Sequence, residues 1–296
     1  MKILVTGATG FIGQHLTRAL LERGDYVAAL VRKESRAEHL PAGVERLILP
    51  ATQTELEALF QKDRFDGVVH LASLYLMSHG PEDIETLIDS NVKFGTKVLE
   101  ASSKAGIKFF INTGSFAQHY EERPYSPTNL YAATKQAFED IARFYAETTN
   151  TIVLTLELYN TFGPGDTRPK IFNLWSNAIK ENKTLDMSPG EQVIDISYID
   201  NVIDGYLKAI ELATGPEARS HNARSYTLKS PERMTLKELS KVFAKTVGGE
   251  LKINFGGFPY RDRETMVPMS LGEVLPGWTP RVDLEEGLRR TFSNHK

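Results

Sequence analysis

Cysteine is absent from the 296-residue sequence. That absence removes disulfides, thiol nucleophiles and most zinc sites together, and it fits a reducing, cytoplasmic setting. No apolar run approaches the roughly 20 residues that a membrane-spanning helix needs. The apolar opening Met1-Lys2-Ile3-Leu4-Val5 stops at Thr6-Gly7, so it reads as a strand rather than the core of a signal peptide. A basic excess is missing too. Lysine and arginine number 35 against 38 acidic residues, a net charge of −3, and no nucleic-acid partner is expected. The seven histidines are scattered, and no metal site is expected. What remains is a chain with 41% hydrophobic residues, ample for a large core.

Those hydrophobic residues alternate between two patterns. Strand-like runs fall at 2–6, 26–31, 44–49, 67–72, 108–112 and 152–158. Helix-like periodicity falls at 12–23, 56–60, 81–105 and 130–148. Alternation of this kind predicts an α/β, Rossmann-type, doubly wound parallel sheet with helices on both faces. After Gly163-Pro164-Gly165 the rhythm changes. Helical patterns at 170–181, 199–213, 236–247 and 285–291 surround an apolar stretch at 193–197 and a strand-like 226–228. The expected organisation is a dinucleotide-binding domain over 1–165, with returning segments near 193–228, and a smaller interleaved substrate lobe over 166–296. Asp200 reads as a helix N-cap, and Trp278 as a packing aromatic.

The first strand runs into Gly7-Ala8-Thr9-Gly10-Phe11-Ile12-Gly13 and then a helix. That is where a phosphate loop belongs. Gly7 permits the turn, Gly10 lets the backbone approach a pyrophosphate, and Gly13 lets helix and strand pack closely. Free N–H groups at the helix start would hold the phosphate. An acidic residue at the end of the second strand would select NAD. Here Val31 is followed by Arg32-Lys33, with Arg36 nearby, which suits a 2′-phosphate. NADPH is therefore the expected cofactor, ahead of NADH, and a net reductase the expected direction.

Tyr131 and Lys135 lie one helical turn apart and share a face. A neighbouring ammonium favours phenolate, so Lys135 is expected to lower the Tyr131 pKa and make it a usable proton carrier. A hydroxyl just beyond the fifth strand would steady a substrate oxygen, and Thr113 and Ser115 both qualify.

These elements together resemble the extended short-chain dehydrogenases/reductases of the NAD-dependent epimerase/dehydratase type. The resemblance rests on the glycine loop, His70-Leu71-Ala72, Asn91, Ser115, Tyr131/Lys135 and Tyr159-Asn160-Thr161-Phe162-Gly163-Pro164-Gly165-Asp166. It implies a Ser115–Tyr131–Lys135 catalytic set, with Asn91 supporting the proton network. It implies cofactor contacts from Gly7, Thr9, Gly10, Phe11, Ile12, Gly13, Leu71, Ala72, Thr113, Tyr131, Lys135 and Leu158, beside Arg32 and Lys33. Substrate contacts fall to Ser115, Asn160, Lys170 and Arg261, the last preferred over Arg263.

Within the family, dehydratases carry an acid–base pair after the catalytic hydroxyl. Phe116-Ala117 stands there instead, which sets elimination aside. His119 and Tyr120 leave an epimerisation base open. The stretch from Phe110 to Phe116 is similar to the CDP-abequose synthase group, which implies reduction of the 4-keto group of a nucleotide-linked deoxyhexose. A 4-epimerase with tightly bound NAD and a non-catalytic NADP(H) sensor are the alternatives. A homodimer through helices 81–105 and 130–148 is expected, as in the family. Two departures stand out. Ile194-Asp195 replaces the family's Arg-Asp, and Leu47-Ile48-Leu49-Pro50 lacks the acid that contacts adenine.

Overall fold

A computed structural model describes residues 1–35, 37–269 and 272–292. Arg36 lies outside the described residues. The chain runs β1 (Lys2–Thr6), α1 (Phe11–Glu22), β2 (Tyr26–Val31), β3 (Glu45–Ile48), α2 (Gln53–Asp63), β4 (Gly67–His70), α3 (Asp83–Ile88), α4 (Phe94–Lys104) and β5 (Phe109–Ser115). It continues through α5 (Leu130–Thr148), β6 (Ile152–Leu158), β7 (Asn160–Phe162), α6 (Ile171–Glu181), β8 (Thr184–Met187), β9 (Val193–Tyr198) and α7 (Ile199–Thr214). The last elements are β10 (Arg224–Thr227), β11 (Arg233–Thr235), α8 (Leu236–Val247), β12 (Lys252–Phe255) and α9 (Leu284–Phe292).

Seven parallel strands form the main sheet in the order β10-β6-β5-β4-β1-β2-β3. Side chains alternate across a strand, and here both faces are apolar because both are covered. Ile3 and Val5 of β1 join the core beneath α1 and α7, while Leu4 joins the opposite core with Phe60, Leu99 and Phe138. The first of these cores runs on into the C-terminal lobe. There the Phe172 and Phe243 rings stack at 5.3 Å, with Trp175 and Phe292 set edge-on to Phe243. Strand order reverses direction between β1 and β4. The crevice beyond their C-terminal ends is therefore the topological switch point, where ligands of open α/β sheets sit.

The C-terminal half adds a three-stranded sheet, β11-β9-β7, and a two-stranded one, β12-β8. These strands are three to six residues long and partly exposed, so they carry little periodicity to read. Trp278 is buried, and its indole N–H donates to the Asn201 carbonyl at 2.9 Å.

Two local expectations are corrected. The helix expected over 81–105 is broken: Asp89–Lys93 widens into a π turn between α3 and α4, and Asn91 lies in it. Asp200 is not the cap of α7. The N-cap is Tyr198, and Asp200 sits in the first turn, where a negative charge still suits the helix dipole. Its carboxylate faces Arg290 at 3.7 Å.

Candidate active site

The turn from β1 to α1 is shaped by close approach. Gly7 has φ of +69°, and a Cβ there would lie 2.6 Å from the Ala72 nitrogen. Leu71 and Ala72 thus pass directly against the loop. A Cβ on Gly13 would lie 2.2 Å from the Gly7 carbonyl oxygen. Gly10 caps α1, and no side chain hydrogen-bonds the cap. The amides of Phe11, Ile12 and Gly13 thus start a helix with no side-chain acceptor at its cap, beside a backbone that only glycine permits. A dinucleotide's pyrophosphate fits that cradle. Thr9 lends its carbonyl to Gln14 at 3.0 Å, which stiffens the loop.

At the end of β2, Arg32 is largely exposed and lies 3.7 Å from Glu34. A third cation, Arg46, donates to the Lys33 carbonyl at 3.1 Å. Its sequence position in β3 gives no sign of this, because only strand pairing brings it to the turn. Leu158 ends β6 and is buried in the core.

Tyr131 and Lys135 rise from the first turns of α5, whose N-cap Asn129 accepts from the Ala132 amide at 2.9 Å. The hydroxyls of Ser115 and Ser73 lie near enough to the Tyr131 phenol to favour its ionised form. Desolvation pushes that phenol up to about 12, the Tyr75 ring oxygen adds to the effect, and the two serines work against it. The expected lowering by Lys135 is therefore not what the surroundings produce. Lys135 is itself buried, and burial brings its ammonium down to about 8 despite the favourable charge of Glu139. Tyr131 is consequently held as a proton donor throughout the neutral range.

Of the two candidate hydroxyls, Ser115 is the one that acts on the ionisation of Tyr131. Thr113 turns away: its hydroxyl donates to the His70 carbonyl at 3.0 Å and lies 2.7 Å from the Tyr206 hydroxyl. His70 is fully buried, and burial with the charge of Lys135 lowers it to about 3, so it stays neutral. It shares a 2.8 Å hydrogen bond with Thr6.

Asn91 organises the neighbouring loop. Its carbonyl oxygen accepts from the Leu74 amide at 2.7 Å and from the Ser73 hydroxyl at 3.1 Å. Its amide donates to the Leu74 carbonyl at 3.0 Å and to Thr134 at 2.9 Å. Ser73 and Tyr75 are thereby brought to Tyr131, and neither was singled out by the sequence.

The candidate substrate residues gather less evenly. Lys170 sits at the start of α6 with its ammonium 4.0 Å from the centre of the Tyr75 ring. Burial lowers its pKa, and the nearby charges of Arg168 and Arg261 lower it further. Arg261 therefore lies within electrostatic reach of Lys170. Arg263 instead bonds Ser126 at 2.7 Å and covers the Tyr120 ring at 4.4 Å. Asn160 donates to the Asp195 carbonyl at 3.0 Å, so its amide ties β7 to β9. Next to the departure at Ile194, Arg233, in register with Asp195 across the sheet, pairs with that buried carboxylate at 2.8 Å.

Beyond Ser115, the Phe116 ring stacks on Tyr159 at 5.4 Å. His119 is occupied. Its Nδ1 meets the Pro124 carbonyl at 2.9 Å, and its Nε2 faces Glu157 at 3.3 Å.

A glycine cradle at the switch point, with a hydroxyl, a phenol and an ammonium around it, defines a dinucleotide-dependent oxidoreductase. Residues 3–223 match the model of the NAD dependent epimerase/dehydratase family. A CDP-abequose synthase of Salmonella muenchen is 30% identical over 99% of this chain and 97% of that protein. UDP-glucuronate 4-epimerase 1 of Arabidopsis thaliana is 25% identical over 98% of this chain and 75% of its own. The structure of UDP-glucuronic acid 4-epimerase from Bacillus cereus, in complex with UDP-glucuronic acid and NAD, superposes with a TM-score of 0.85 at 22% identity. That match covers 99% of this chain and 98% of that one. The chain belongs to the NAD-dependent epimerase/dehydratase family and is an enzyme of the NAD(P)-dependent oxidoreductase type.

The His119–Glu157 pair generates a pH prediction. Burial opposes the His119 charge, but Glu157 and two backbone carbonyls outweigh it, and the pKa is raised. A raised histidine stabilises the fold fully below its unfolded pKa of about 6.5, and the gain is lost as pH rises through the folded value. Glu157→Gln should therefore destabilise the protein by about 3 kcal/mol near pH 6, and by less at pH 9. Urea unfolding at both pH values measures this, and equal destabilisation at the two would contradict it.

Proposed function

We propose that this enzyme reduces the 4-keto group of a nucleotide-linked deoxyhexose with NADPH, in deoxysugar biosynthesis. One observation carries the reading. Directly after Ser115, the Phe116 ring stacks on Tyr159, where an acid–base pair for elimination would otherwise stand. The glycine cradle would hold the pyrophosphate of NADPH, whose nicotinamide would supply the hydride. Ser115 orients the carbonyl oxygen, and Tyr131 gives that oxygen its proton. Lys135 carries a positive charge below about pH 8 and so favours loss of the phenolic proton at the moment of transfer. Lys170 and Arg261 meet the diphosphate, as cations do. The likeness to CDP-abequose synthases supports a CDP-linked substrate. A homodimer is supported by Ile84, Ile88 and Phe144, apolar side chains exposed on α3 and α5.

A second reading is a nucleotide-sugar 4-epimerase, which uses the same three groups and retains its cofactor. The UDP-glucuronate 4-epimerases among the relatives favour it.

Tyr131→Phe should lower ketosugar reduction by about 10²–10⁴-fold, the usual contribution of a placed general acid. NADPH binding, followed by fluorescence, should be unchanged. Turnover near the wild-type rate would refute the assignment of Tyr131. The preference for NADPH is tested separately. Replacing Arg32 and Lys33 by alanine should weaken NADPH binding about tenfold or more, equivalent to ~1.4 kcal/mol, and leave NADH binding unchanged. Equal weakening of both cofactors would overturn it.

A further inference from the structure

Tyr75 touches both ends of the proposed substrate site. Its ring stands edge-to-face with Tyr131 at 4.9 Å and 78°. The Lys170 ammonium lies 4.0 Å from its centre. The charges of Arg261 and Arg168 act on its hydroxyl as well. At one end, then, is the group that serves the reacting carbonyl. At the other are the cations that suit a diphosphate.

In a nucleotide-linked hexose these two functions sit across one pyranose ring. The diphosphate is on C1 and the ketone on C4. A side chain in contact with the receptors of both must run alongside the ring that joins them. Tyr75 is 45% exposed, so its ring is open to a ligand rather than sealed in the core. Its backbone is nevertheless fixed. The buried Asn91 holds the amide and the carbonyl of the preceding residue, Leu74. A half-exposed aromatic on a clamped backbone is a wall, not a tether. Aromatic faces attract cations and pack against C–H bonds.

We propose that Tyr75 is the residue that recognises the hexose: its ring packs along the sugar between C1 and C4. Lys170 rests on that ring until the diphosphate draws its ammonium away. The assignment rests on the nucleotide-sugar reading and adds a specificity-determining residue to it.

Binding measurements separate the two. Calorimetric titration of the full chain, saturated with NADP⁺, is carried out with CDP, UDP and dTDP and with their glucose and 6-deoxyglucose esters. For a nucleotide sugar that the wild type binds, Tyr75→Ala should weaken binding at least tenfold. Its affinity for the bare nucleoside diphosphate should change less than threefold. Tyr75→Phe should restore nucleotide-sugar binding to within threefold of wild type. Unchanged sugar-nucleotide binding by Tyr75→Ala, or an equal loss for the bare diphosphate, would overturn the role of Tyr75 alone. A wild-type chain that binds the diphosphates but none of their sugar esters would overturn the parent reading, and this assignment with it.

Discussion

The buried amide of Asn91 is the interaction on which the site depends. It sits in the π turn between α3 and α4 and is almost fully enclosed. Its four hydrogen bonds hold the loop after β4 to α5. Losing the amide would remove the partners of the half-buried Leu74 N–H and C=O, at about 0.5–1.5 kcal/mol for each hydrogen bond. The π turn presents this amide between the loop after β4 and α5, and single π turns inside α-helices are frequent at functional sites.

Charge in this crevice follows from burial more than from pairing. Tyr131 rises to about 12 and Lys135 falls to about 8 for one main reason: burial withholds water from the charged form of each, phenolate in one and ammonium in the other. His70 is forced neutral by the same burial and by the nearby ammonium. A donor phenol beside a weakened ammonium is suited to giving a proton. The proposed reduction uses the phenol in that sense.

Much of this was legible because it is local. The glycine loop is a spacing of three residues between a strand and a helix, and Tyr131 and Lys135 are one turn apart. Sheet strands covered on both faces are plain apolar runs, and β1, β2 and β6 begin and end where those runs do. What escaped was settled by tertiary contact. Tyr75, Ser73 and Arg46 reach the site only through the Asn91 clamp and strand pairing. Arg233 finds Asp195 across an antiparallel register that three short strand residues do not announce. The direction of the Tyr131 shift escaped because the sequence displays the neighbouring lysine but not the enclosure. The cap of α7 fell to Tyr198 because the chain leaves β9 directly into the helix.

The account turns on where the hydride goes. The direct measurement is to supply a nucleotide-linked 4-ketohexose with NADPH deuterated at nicotinamide carbon 4 and examine the product by NMR. Deuterium at C4 of the sugar, with one NADP⁺ released for each sugar reduced, is the predicted result. A product epimeric at C4 without deuterium, formed with no net consumption of NADPH, would contradict it.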